Sequence, residues 1–168
     1  MGDWNLFFAS CAGSAATLAG LLFVATQLHI EVFTDPTNRW SALAQSTLSI
    51  LSSVLGISLT FLIPQLPMQV RAEVVIAVVV LILWRTFRLW WPVVRIGESG
   101  RRKRLEQSFW LLIVPVVVYM YLLFGALQLL QGDQTGGLIS VAGAFVSMFG
   151  VGLRNSWRLV VTVAQKPT

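Results

Sequence analysis

Long apolar stretches alternate with short polar ones along the chain, and the pattern predicts five segments of membrane length. The first runs from Trp4 to Leu28. The second runs from Trp40 to Ile63 and ends at Pro64 and Pro67, which remove backbone donors and force a tight, extended connection. The third, Met68 to Trp91, stops ahead of Pro92 and contains the valine-rich run from Val74 to Val80. Such residues favour strands in water. A lone open strand in lipid would leave its backbone groups unsatisfied, so a helix is expected here. The fourth, Phe109 to Leu130, contains Pro115 and is expected to kink there. The fifth follows Gly136 and Gly137, and its uncharged core, 138–153, is shorter than the roughly 20 residues a span needs. It crosses only if the helix continues through Arg154 toward Val163 with the arginines reaching back to the interface, which gives bounds of about 138–160. The expected fold class is an all-α integral membrane protein, one domain over 1–168, built as a bundle of five transmembrane helices. Four helices with an interfacial C-terminal helix are the alternative.

Composition agrees with this pattern. Of 168 residues, 56% are hydrophobic and 11% charged, against about 25% charged in a soluble domain. Five spans leave no length for a separate soluble domain, and the first segment lacks the basic lead of a signal peptide. The net charge of +5 takes its meaning from its distribution. With five spans, eleven of the twelve basic residues fall on one side, namely Arg39, Arg85, Arg88, Arg95, Arg101, Arg102, Lys103, Arg104, Arg154, Arg158 and Lys166, and Arg71 is alone on the other. Basic loops stay in the cytoplasm, so the N-terminus is expected outside and the C-terminus inside the bacterial cytoplasmic membrane. Trp40, Trp84, Trp90, Trp91, Trp110 and Trp157 fall near the inner ends of the segments and Trp4 near an outer one, as an interfacial aromatic belt requires.

Little in the sequence suits catalysis. One cysteine, Cys11, precludes an intrachain disulfide, and one histidine, His29, precludes bis-histidine haem. Glu31 and Asp35 beside His29 match no metal spacing, and no nucleophile has a plausible base. Neither enzymatic activity nor a cofactor is expected. Glu73 near Arg71, and the pair Arg85 and Arg88, lie close enough to segment ends to reach the interface. The run Arg101, Arg102, Lys103, Arg104 is expected to contact anionic lipid headgroups, each basic residue contributing about 1 kcal/mol. Nucleic-acid binding would need a soluble partner domain and is not expected.

Two stripes suit contacts instead. From Ala9 to Gly20 only Thr17 and Leu18 exceed Ala, Gly, Ser or Cys in size. Ala9 with Gly13, and Ala12 and Ala16 with Gly20, form small-residue series that let helix backbones approach closely, within the chain or against another. In the second segment Ser46, Ser49, Ser53, Gly56 and Thr60 share one face. That stripe can pack on the first segment through hydroxyl bonds or line a wet path in an oligomer.

The run F-F-A-S-C-A-G-S-A-A-T-L-A-G-L-L-F-V-A, residues 7–25, together with Asn155, Ser156, Trp157 and Leu159, resembles a family of small uncharacterised bacterial polytopic membrane proteins. Members share a small-residue first span ending in G-L-L-F-V-A and an N-S-W near the C-terminus. The resemblance covers the two ends of the chain and transfers no site residues. The expected function is that of a non-catalytic accessory, scaffold or regulatory subunit in a homo-oligomer or larger membrane complex, with a small homo-oligomeric ion channel as the alternative.

Overall fold

A computed structural model describes the backbone of residues 2–28, 39–95 and 101–164. Its helices are α1 (Gly2–Leu28), α2 (Arg39–Leu62), α3 (Met68–Arg95), α4 (Arg101–Leu130) and α5 (Gln134–Ala164), and no strand occurs among the described residues. Four of them contain stretches long and apolar enough to cross a membrane: Trp4–Gln27, Leu43–Leu62, Ile113–Leu130 and Gln134–Leu159. The protein is all-helical with the character of a membrane protein. In α3 the uncharged run between Glu73 and Arg85 covers only about 16 Å at 1.5 Å per residue, well short of a ~30 Å hydrocarbon core.

Several helices extend beyond the apolar segments that announced them. Hydropathy marks where lipid would begin, whereas a helix continues until its backbone geometry is interrupted. Thus α3 runs through Pro92 to Arg95, and α4 begins at Arg101, so the basic run is its first turn and not a loop. The side chains of that run, like His29, Glu31 and Asp35, lie outside the described residues. Gly136 and Gly137 do not precede the last helix but lie inside it, and α5 continues past Arg154 as required of a full span. Pro115 sits within α4, where it removes one helical donor.

The helices group into two compact units. One comprises α1, α2 and α5 from Phe145 onward; the other comprises α3, α4 and α5 through Ala144. In the first, α1 packs along α2, and three rings fill the contact. Phe8 stacks on Phe61 at 4.4 Å between centroids and meets Phe145 edge-on at 5.9 Å. All three are buried, with Leu51, Val54, Ile57 and Met148 in the same core. The connection from α2 to α3 is as tight as the prolines predict, with Gln65 at a positive φ of 60° between them.

In the second unit α3 packs against α4 through the side carrying Ala72, Val75 and Val79. The turn from α4 to α5 is built by two residues. Gly132, at φ 90°, sends its N–H to Leu129 O, and Asp133 N–H reaches Gln128 O, which together make a Schellman C-cap. Asp133 then caps the next helix, since its Oδ1 accepts the Gly136 N–H at 2.9 Å and its carbonyl accepts the Gly137 N–H.

Candidate interaction surfaces

The small residues of α1 divide between two faces. Phe8, Cys11, Ala12, Ala15 and Leu22 form the buried side against the rest of the unit. Of the predicted contact set, Ala12 belongs there, but Ala9, Gly13, Ala16 and Gly20 are exposed on another side of the helix. A Cβ added at Gly13 or Gly20 would meet nothing within 4 Å. The intrachain contact of α1 is therefore made one helical step away from the series read in the sequence. Cys11 and Ala15 are the close-packed positions there, and Gly13 is not.

The hydroxyl stripe of α2 lies along the border of its buried side. Ser53 is buried, Ser46, Ser49 and Thr60 are half-buried, and Gly56 is exposed with open space around it. Ser53 Oγ donates to Ile50 O and Thr60 Oγ1 to Gly56 O, each within its own helix. Serine and threonine in a helix commonly satisfy themselves in this way. These two bonds tie the hydroxyls to α2 itself. Thr47, fully buried on the adjacent face, bonds Leu43 O in the same manner.

A close approach of α4 and α5 lies where Gly136 and Gly137 were expected only to precede a helix. A Cβ at Gly125 of α4 would stand 2.9 Å from Ser140 Cβ, 3.1 Å from Val141 N and 3.2 Å from Gly137 O, all on α5. One turn along, Ser140 Oγ donates to Gln128 Oε1 at 2.8 Å. Farther along, Gly143 accepts the ring of Tyr121, which a Cβ would meet at 3.1 Å. The signal was present in the spacing of Gly125 and Gln128 on one helix and Gly137, Ser140 and Ala144 on the other, a small-residue seam with one polar pair.

Among the described residues no three of His, Cys, Asp and Glu come together. Trp84 and Trp157 are exposed, as belt residues are. What the structure offers a partner is helix surface: the exposed small face of α1 and the half-buried stripe of α2. Comparison with family models, with curated proteins and with solved structures found no match.

Proposed function

We propose that the chain is a non-catalytic integral membrane protein that acts as an accessory, scaffold or regulatory subunit through helix–helix contacts. It would cross the bacterial cytoplasmic membrane five times, α3 included, with its C-terminus inside, and associate with copies of itself or a larger membrane complex. The observation that carries this reading is the exposed series Ala9, Gly13, Ala16, Gly20 on a helix whose other side is already packed. In lipid, helices associate through close van der Waals fit and not through hydrophobic transfer, and small residues permit that fit.

The reading makes an unusual demand on Gly13→Leu. Because the site is open within the chain, the purified single chain should keep its thermal stability to within about 0.5 kcal/mol. In membranes, cysteine cross-linking through α1 of a Cys11→Ser background should be lost in the same variant. Loss of single-chain stability, or undiminished cross-linking, counts against the proposal.

Orientation is tested separately. A cysteine at Gln131, exposed in the α4–α5 turn and not itself a cap, should react with an impermeant reagent in intact cells, and one at Ser99 should not. The reverse pattern would invert the topology. A small homo-oligomeric channel is the second reading, favoured by the half-buried Ser46, Ser49 and Thr60. It requires that reconstituted protein conduct and that thiol reagents block cysteines at Ser46 and Ser49. The subunit reading expects no current, since the stripe carries no charged ring.

A further inference from the structure

The exposed side of α3 carries charge at both ends of a short apolar run. Glu73, Ala77, Val80, Trp84 and Arg88 follow one another at helical spacing and share one face, with Arg85 beside it, and all six are exposed. Side chains on a helix lean toward its N-terminus, which lets Glu73 reach away from the run but turns Arg85 and Arg88 back over it. Arg88 shows the effect, since its guanidinium carbon lies 5.6 Å from the ring centre of Trp84, one turn back toward Glu73. The cation therefore ends near the level of Trp84, and the uncharged length stays close to the roughly 16 Å between Glu73 and Arg85.

We propose, on the reading that α3 crosses the membrane, that the bilayer is thinned where it meets this face, so that α3 is matched by lipid with short acyl chains. The apolar stretches of the other four helix spans and of α3 differ in kind: those of α1, α2, α4 and α5 number 18 to 26 residues, about 27–39 Å, so the shortfall against a ~30 Å core is local to α3. Tilt cannot remove it, because tilting reduces the thickness that a helix spans. A second copy is a poor cover for this face. Copies insert in the same direction, so a two-fold axis along the membrane normal would set Glu73 against Glu73 and Arg88 against Arg88. Lipid can instead thin until its headgroups meet both charges.

The test is stability of the purified protein in vesicles of dimyristoleoyl, dioleoyl or dierucoyl phosphatidylcholine, whose hydrocarbon layers thicken in that order. The thermal unfolding temperature should be highest in the first and fall by about 5 °C or more across the series. Arg85→Leu with Arg88→Leu leaves an uncharged run from Val74 to Val94, about 31 Å, and should move the maximum to dioleoyl phosphatidylcholine. The milder pair Arg85→Gln with Arg88→Gln should move it part of the way, and Arg158→Leu on α5 should leave it in place. Crossing is read in intact cells with an impermeant thiol reagent on Gln69→Cys and Ser99→Cys, each in a Cys11→Ser background. Labelling of both or of neither places the two ends on one side and overturns the crossing and the thinning together. Labelling of one end alone, with a wild-type maximum in the thicker vesicles or no dependence on chain length, overturns the thinning by itself and means that ordinary lipid or a protein partner covers the face. A maximum that neither double variant moves also overturns it, since another helix then sets the preference.

Discussion

Gly125→Leu should be among the most destabilising single substitutions in the protein, at about 3 kcal/mol or more, read as a fall in thermal unfolding temperature in detergent. The atoms that a side chain would meet at Gly125 include the backbone nitrogen of Val141 and the carbonyl oxygen of Gly137, at 3.1 and 3.2 Å. Neither can rotate away. Accommodation requires α4 and α5 to separate, and separation also breaks the Gln128–Ser140 hydrogen bond one turn along. Gly125→Ala should already cost about 1–2 kcal/mol, since Ser140 Cβ lies at 2.9 Å. Wild-type stability for Gly125→Leu would mean that the α4–α5 seam is not closed as described.

Phe8→Ala is the second large expectation, and the membrane setting changes its size. In a soluble core the loss would be about 3–5 kcal/mol, the sum of a transfer and a cavity contribution. Lipid tails are as apolar as the core, so the transfer contribution largely disappears. What remains is a ring-sized void of roughly 100 Å³, about 2.4 kcal/mol at 24 cal/mol per Å³, and the lost aromatic contacts to Phe61 and Phe145 add about 0.5–1.5 kcal/mol. A cost near 3 kcal/mol is expected for Phe8→Ala, against well under 1 kcal/mol for Phe23→Ala, whose ring is exposed. Equal effects at the two positions, measured by unfolding of the purified protein, would remove the three-ring core from the account.

These two sites also show how far the sequence could be read. Helices and their approximate limits follow from apolar length alone, because lipid forbids unsatisfied backbone and leaves few alternatives. The Pro-bounded turn between α2 and α3 and the continuation of α5 through Arg154 were legible on that basis. Faces were not. In water a buried face announces itself by being apolar, but in lipid both sides of a helix are apolar, so Leu21 and Leu22 look alike although one is exposed and the other buried. Small residues remain as the only clue, and they are ambiguous. Gly13 and Gly20 stand on an open face, while Gly137, which resembled a breaker beside Gly136, is buried against Leu129. A glycine in a membrane helix marks a place where something comes close or a place where nothing does, and spacing alone does not say which.

The turn between α4 and α5 bears on how the chain can be engineered. Exposed turns are the usual choice for inserting an epitope or a reporter, and Gln131, Gly132 and Asp133 are all exposed. Yet the N–H groups of Gln131, Gly132 and Asp133 all bond to α4, while the carbonyl and carboxylate of Asp133 start α5. No slack exists to be lengthened. An added segment would uncap two helices together and release the seam that begins at Gly137, which makes this visible tip a poorer site for a tag than its accessibility suggests.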